Sequence, residues 1–112
     1  MNSLRNRVIL IGRLGAEPVV RTYEGNKKQV RMKLATDDQY TKDGDKVKET
    51  QWHNLVVWGS LCEICEKYLT KGKEIAVEGK IVYRKWDDKE GKNHYMTEIT
   101  VDNLLMVGAK QN

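Results

Sequence analysis

The sequence predicts an all-β protein, a five-stranded Greek-key barrel with one short α-helix between strands 3 and 4. Two observations support this fold class. Most of the 112 residues lie in segments where polar and apolar side chains alternate, which is the period of a strand. Charged stretches containing glycine separate these segments, and only residues 61–69 show apolar side chains at helical spacing. A chain of this length supports one compact domain, which we expect to span residues 1–107.

The first two strands are predicted in the N-terminal third of the chain. The segment from Arg7 to Leu14 has apolar residues in both phases, so we expect a central strand or one that is covered on both faces. The second strand covers residues 19–36, with a break at residues 24–26. Its alternation turns Arg31 and Lys33 outward, where they form a positive stripe.

A projecting loop and the third strand are predicted next. Residues 37–49 are polar and charged around the pair Asp43-Gly44, which is typical of a hairpin loop that extends from the body of a protein. The third strand follows over residues 50–58.

The helix is predicted to follow the third strand directly. Ser60 is a favourable N-cap, Glu63 completes a capping box, and Gly72 is expected to end the helix as its C′ residue. Cys62 and Cys65 lie on this helix, and we interpret them as a pair of small core residues. The alternative is a CxxC thiol enzyme, which would require a low thiol pKa.

The last two strands complete the predicted barrel. The fourth runs from residue 74 to 86 and ends in a charged loop, and the fifth runs from Asn93 to Val101 with Tyr95 and Ile99 facing inward. This order of elements is that of an OB-fold, which binds oligonucleotides across one face. Residues 108–112 are expected to form a short end without a long acidic tail.

All three tryptophans lie in the strand phase that a hydrophobic core would not use. Trp52 and Trp58 share one phase of the third strand with Asn54, and Trp86 shares its phase with Arg84. A ring that served only the core would lie in the aliphatic phase. Rings interleaved with cations therefore indicate a surface that stacks the bases of a nucleic acid.

Composition limits the other functions. The net charge of +4 is a mild bias, although residues 1–36 contain eight Lys or Arg against two Glu. No apolar run reaches the length of a signal peptide or of a membrane span, so we expect a cytoplasmic, nucleoid-associated protein and no membrane partner. No paired carboxylates, nucleophile elbow or phosphate-binding glycine loop occurs, so we expect no enzyme activity, no metal and no cofactor.

A resemblance to a known family supports the same interpretation. The matching segments are, in chain order, residues 6–15, Glu17-Pro18, Val20-Arg21, Leu34-Ala35-Thr36, Gln51-Trp52-His53, residues 68–72, Glu78-Gly79 and Arg84-Lys85-Trp86. Over nearly its whole length the chain thus resembles the bacterial single-stranded DNA-binding proteins. The resemblance implies sequence-tolerant binding and protection of single-stranded DNA in replication, recombination or repair.

The resemblance also implies which residues bind the strand. Aromatic rings would stack the bases, although Tyr40 stands where well-known members have Trp and Trp58 where they have Phe. Three family cations are replaced, by Asn54, Ser60 and Val82. Together with the outward stripe, the predicted nucleic-acid-binding residues are Tyr40, Trp52, Trp58, Trp86, Arg21, Arg31, Lys33, Lys42, Lys71, Arg84 and Lys85.

Assembly and partners are implied in the same way. Family members form homotetramers, and His53 matches a position in their interface, although a histidine bonded within its own subunit fits the sequence equally well. Recruitment of proteins through an acidic C-terminal tip is not expected. Two alternatives keep the OB-fold: a primosome-type or protein-docking module with weak nucleic-acid binding, and a module that binds RNA, since stacking surfaces do not exclude the 2′-hydroxyl.

Overall fold

The computed structural model describes residues 4–108 and places them in six strands and one helix. The elements are β1 (Val8–Leu14), β2 (Val19–Tyr23), β3 (Lys27–Lys42), β4 (Asp45–Trp58), α1 (Leu61–Tyr68), β5 (Glu74–Asp87) and β6 (Asn93–Met106). The predicted C-terminal end lies outside the described residues, apart from Gly108.

Five of the strands close into a barrel. They neighbour one another in the order β1, β5, β6, β4, β3, and β3 returns to β1 where Arg13 pairs with Ala35 and Leu14 with Leu34. β4 and β6 run parallel, and the other neighbours are antiparallel. The predicted OB-fold barrel is confirmed. Its core contains fully buried side chains from three strands and the helix, among them Leu34, Leu55, Ile75, Val77 and Cys65.

The segment predicted as one broken second strand is two strands. β2 folds back on β3, with Val19 opposite Arg31 and Tyr23 opposite Lys27. Positive φ angles of 79° at Gly25 and 61° at Asn26 reverse the chain between them. β2 therefore lies outside the five-stranded barrel, as a flap paired to the first residues of β3.

The segment predicted as a hairpin loop over residues 37–49 is an ordered β-arm. The pairing of β3 with β4 continues without a bulge from Gln29 opposite Trp58 to Lys42 opposite Asp45. Asp43 and Gly44 have φ angles of 52° and 83°, as a two-residue hairpin turn requires. The prediction of a turn at this pair is confirmed, but the loop prediction was wrong because tight turn geometry lets both strands extend.

β1 pairs with β5 along one edge and with β3 along the other, so the prediction of a central strand is confirmed, whereas its outer face is not covered within this chain. Leu14 is buried, whereas Ile9 and Ile11 are 61% and 59% exposed on the outer face of the barrel. A barrel has one interior, so a strand with apolar residues in both phases leaves one set of side chains on the outside.

The helix begins after Ser60, as predicted, but it lacks the predicted capping box and ends before Gly72. Ser60 has φ −64° and ψ −27°, its side chain makes no capping bond, and its carbonyl accepts the Glu63 N–H instead, so no capping box forms. Leu69 is extended and ends the helix, while Gly72 lies in the following turn with φ 90° and donates to the Leu14 carbonyl. No helix within residues 4–108 is long and apolar enough to cross a membrane.

The paired ends of β5 and β6 form a second arm. Tyr83 and Tyr95 share the phase of buried Ile99, yet they are 76% and 71% exposed. The predicted inward orientation of Tyr95 is therefore wrong. The period of a strand fixes which face a side chain occupies, but beyond the barrel no second layer covers that face.

The two cysteines are both fully buried in the core, as predicted. The Cys62 thiol donates to the carbonyls of Val57 and Lys28, at 3.3 and 3.5 Å. Burial raises the pKa of Cys62, and it raises the pKa of Cys65 to about 11. Since the thiolate is the nucleophile, these residues do not match a reactive CxxC motif.

We predict slow thiol modification in the native protein. At pH 8 an aromatic disulfide reagent should react with neither cysteine within minutes, because the raised pKa of Cys65 and the burial of both groups suppress the thiolate. In denaturant both thiols should react at once, which provides the control. Rapid modification of the folded protein would contradict the assignment of these cysteines to the core.

Candidate nucleic-acid interface

One face of the barrel carries a groove of about 790 Å³. Side chains from β2, β3, β4, β5 and β6 line it, because the outward phases of these strands meet on the same side. It combines two indoles with three guanidinium groups. The lining residues are Arg21, Tyr23, Gln29, Arg31, Val56, Trp58, Val82, Arg84, Trp86, Met96, Glu98 and Thr100.

Trp58 stands at the β2 side of the groove and is 45% exposed. Its ring centroid lies 5.8 Å from that of Tyr23, at an interplanar angle of 37°. The Tyr23 hydroxyl donates to Gln29 Oε1 at 3.1 Å, and Arg31 Nε donates to the same oxygen at 3.3 Å. Because Gln29 is buried, this chain of contacts holds the Tyr23 ring against Trp58.

Trp86 stands on the opposite side, on the arm of β5 and β6. It is 42% exposed, and the imidazole of His94, directly opposite on β6, stacks on it with centroids 5.3 Å apart and planes 18° apart. One face of this indole is thus in contact with another ring.

Trp52 lies further along the outward face of β4 and is 60% exposed. Its ring lies against Gly15, which follows β1, so closely that a Cβ on Gly15 would be 2.2 Å from Cζ3 of the indole. Any side chain at this position would push the ring away. The glycine therefore provides the space that the Trp52 ring occupies.

A buried carboxylate lies in the groove. Glu98 is 4% exposed, and its Oε2 accepts from Arg31 Nη1 at 2.5 Å and lies 3.5 Å from Arg84 Nη1. Charge-assisted bonds of this kind orient a planar guanidinium, so Glu98 fixes two of the predicted cations beside Trp58 and Trp86. It also neutralises one of their two charges.

The groove continues into a second depression. Arg21, Arg31 and Met96 line both, and Lys33 and Asn54 extend the polar surface along β3 and β4. At about 3.4 Å per residue, the β4 face from Trp58 to Trp52 is roughly 20 Å long. The structure therefore brings seven predicted residues onto one continuous surface, which are Arg21, Arg31, Lys33, Trp52, Trp58, Arg84 and Trp86.

The remaining four predicted residues lie elsewhere. In the unbroken pairing of β3 with β4, Tyr40 falls on the face opposite to Trp52, and Lys42 lies at the tip of the arm. Lys85 also points away from the groove, with its Nζ 5.8 Å from the centroid of the Tyr95 ring. Lys71 lies in the turn after the helix, where it lines a separate cavity with Arg13 and Lys73.

Several groove residues were not found from the sequence. Tyr23 shares the phase of Arg21 on β2, and alternation could have identified it. Glu98 gave no signal, because the sequence does not show which cations an acidic strand residue will face. His94 could have been paired with Trp86 only after the length of the intervening loop was known.

His53 has a partner within its own chain. Its Nε2 lies 2.9 Å from Thr36 Oγ1, and the residue is half-buried at the end of the barrel core. Within residues 4–108, no group of three or more His, Cys, Asp or Glu side chains could hold a metal ion.

The fold and the groove together define an OB-fold protein with a cationic, indole-bearing face, a class that binds single-stranded nucleic acid. The profile of the single-strand binding protein family matches residues 5–107, and the chain belongs to this family. The membership confirms the predicted function, single-stranded DNA binding, and the prediction that the chain is not an enzyme.

Relatives and a solved structure agree with this membership. The chain is 42% identical over 109 residues to single-stranded DNA-binding protein 1 of Xylella fastidiosa, covering 96% of this chain and 80% of that protein. It is 39% identical over 109 residues to single-stranded DNA-binding protein 1 of Chlorobaculum tepidum, covering 96% and 67%. A Plasmodium falciparum SSB in complex with ssDNA superposes with a TM-score of 0.86 at 29% identity, covering 96% of this chain and 100% of that one.

We predict that Gly15→Ala displaces the Trp52 indole. The added methyl group would occupy the position of the ring edge, so the emission of Trp52 should change and oligo(dT) should bind more weakly, by up to about 1 kcal/mol. A double-variant cycle provides the control: in a Trp52→Ala background the same substitution should have no further effect on binding. An equal loss of affinity in both backgrounds would show that Gly15 acts independently of the indole.

Proposed function

We propose that this protein coats single-stranded DNA by stacking bases on Trp52, Trp58 and Trp86 while cations beside the rings bind the phosphates. The observation that supports this proposal most directly is the placement of all three indoles on one face of the barrel, each about half exposed and each supported by the protein. A role in replication, recombination or repair follows from such coating.

The stacking part of the proposal explains tolerance of sequence. Every base has a π-face, and each stack on an aromatic ring is worth about 1 to 3 kcal/mol by alanine substitution. The surface from Trp58 to Trp52 is long enough for several nucleotides. Tyr40, on the other face of the arm, would contact the strand only if the strand passes around the arm.

The electrostatic part places the phosphates between the rings. Arg21, Arg31 and Arg84 line the groove, and Lys33 continues this positive edge. Glu98 disfavours phosphate in the innermost part of the groove, and it holds the guanidinium groups of Arg31 and Arg84 in place there. Lys42, Lys71 and Lys85 are proposed as contacts for the strand where it leaves the groove.

The central test is a fluorescence titration with oligo(dT). We expect strong quenching of tryptophan emission, and a loss of about 1 to 3 kcal/mol in binding for Trp58→Ala and Trp86→Ala. Tyr68→Ala is the matched control, because that ring is exposed on the helix and does not line the groove. Affinity should fall with salt at a log–log slope of about −0.7 for each phosphate contacted.

The same titration distinguishes the alternatives. Tight binding of oligo(U) in place of oligo(dT) would point to RNA, and weak binding of both without quenching would favour a protein-docking module. If Trp58→Ala and Trp86→Ala bind as tightly as the parent protein, the stacking proposal is wrong.

We further propose that the protein self-associates, as a homotetramer, through the outer face of β1. Ile9 and Ile11 are exposed there, and they continue onto the neighbouring strands as an apolar surface with Ala76 and Leu105. Glu78 lies beside them, and a hydrogen bond from Asn103, assisted by the Arg7 guanidinium, lowers its pKa. Exposed apolar patches of this kind mark protein interfaces.

The role of His53 in that assembly remains part of the proposal. Its contact with Thr36 shows a partner inside the chain, but the imidazole retains a second nitrogen that could bond across an interface.

We also propose that the protein lies in the cytoplasm, on the exposed single strands of the nucleoid. Residues 1–107 are proposed to form its single domain.

We predict that Ile9→Asp combined with Ile11→Asp dissociates the assembly. Burying two carboxylates between copies of the chain would be costly, whereas the same side chains on a free surface are solvated. Light scattering should give a multiple of 13.0 kDa for the parent protein and a smaller mass for the variant. Tyr68→Asp, on another exposed surface, is the control. A parent protein of about 13 kDa at micromolar concentration would contradict the proposal.

A further inference from the structure

We infer that His94 and Asp88 are positioning residues that hold the Trp86 indole with one face closed and the other open to a base. This inference rests on the proposed stacking function. It assigns a role to two residues that the sequence did not select and that lie on the side of Trp86 away from the incoming strand.

The first step is the stack itself. His94 is the direct cross-strand neighbour of Trp86, and the two rings are nearly parallel, 18° apart, with centroids separated by 5.3 Å. This separation is within the range of offset-stacked aromatic pairs. The imidazole thus occupies one side of the indole, and a base can stack only on the other.

The second step is the anchor of the imidazole. His94 Nε2 donates to Asp88 Oδ2 at 2.8 Å, and the other carboxylate oxygen accepts the backbone N–H groups of Glu90 and Lys92, each at 2.9 Å. The hydrogen bond from His94, followed by that from Lys92, lowers the pKa of Asp88. An ionised Asp88 therefore ties the imidazole to the backbone of the loop at residues 88–92.

The loop at residues 88–92 also has hydrogen bonds within its own backbone. The Asp88 N–H donates to the Lys92 carbonyl at 2.9 Å, and the Gly91 N–H donates back to the Asp88 carbonyl at 3.0 Å. The loop is therefore closed by its own backbone bonds as well as by the carboxylate. Contacts therefore connect the Trp86 indole to the His94 imidazole, and the imidazole to this closed loop. They hold the orientation of Trp86 although it lies on an arm outside the barrel core.

This arrangement favours binding because the Trp86 side chain has less motion to lose when a base stacks on it. A free indole on an exposed arm samples several rotamers, and ordering one side chain on binding weakens an affinity by about 2- to 12-fold. If His94 has already ordered the ring, the strand meets it in the binding orientation. His94→Ala should therefore weaken oligo(dT) binding by about this factor, while His94→Phe, which keeps a ring, should restore it.

The experiment uses the full chain with Trp52→Phe and Trp58→Phe, so that Trp86 is the only tryptophan. Nanosecond anisotropy of its emission without DNA reports the mobility of the indole, and titration with oligo(dT) reports affinity. We expect His94→Ala to lower the anisotropy and the affinity together, and His94→Phe to return both close to the parent values. Asp88→Ala should shift both readouts in the direction of His94→Ala.

Asp87→Ala is the matched control for charge. It removes the same charge one residue away, but Asp87 lies in the opposite strand phase from Trp86, so both readouts should stay at parent values. Asp88→Ala, which keeps both rings, tests the claim independently if His94→Ala does not fold.

Three results would overturn the inference: unchanged anisotropy and affinity in His94→Ala, a loss of affinity that His94→Phe does not restore, or equal effects of Asp87→Ala and Asp88→Ala. If the parent protein does not bind oligo(dT), the proposed function fails by itself. The DNA-free anisotropy of the variants still decides whether His94 holds the ring.

Discussion

The proposed stacking of bases depends on large apolar rings that stay in water on one side while the protein holds them on the other. An exposed indole gains nothing from the core and would move freely unless something supports it. Each tryptophan has such a support: Gly15 behind Trp52, Tyr23 beside Trp58 and His94 behind Trp86. His94 covers one face of Trp86, and the spacing of the three indoles follows from the strands that carry them.

The barrel supplies the rigidity that these supports need. Its core is closed by the pairing of β1 with β3 and filled by aliphatic side chains and two buried cysteines. The outward phases of β2 to β6 then converge on one groove, where Glu98 orients Arg31 and Arg84. Because these contacts connect different strands, the groove forms only when the barrel has closed. The cationic and aromatic parts of the surface are therefore set by the same fold.

Much of this could be predicted from local pattern. Alternation placed Trp52, Trp58 and Trp86 outside the core, and the order of elements predicted the barrel. The predictions that were wrong concerned features that depend on tertiary context. The sequence could not show that Asp43-Gly44 would allow a long ordered arm, that Tyr95 would lie beyond any second layer, or that Ile9 would face outward. Nor could it show that Tyr40 lies on the far face of its arm, since that segment was predicted as a loop, whereas strand alternation could have placed Lys85 on the face opposite to Trp86.

The accessibility of the indoles in solution tests the proposed stacking most directly. Acrylamide should quench the emission of all three tryptophans in the free protein, and saturation with oligo(dT) should shield all three from it, because bases would cover the open faces. Rings that acrylamide cannot reach in the free protein, or that remain equally accessible in the complex, would contradict the claim that the open indole faces are where the bases bind.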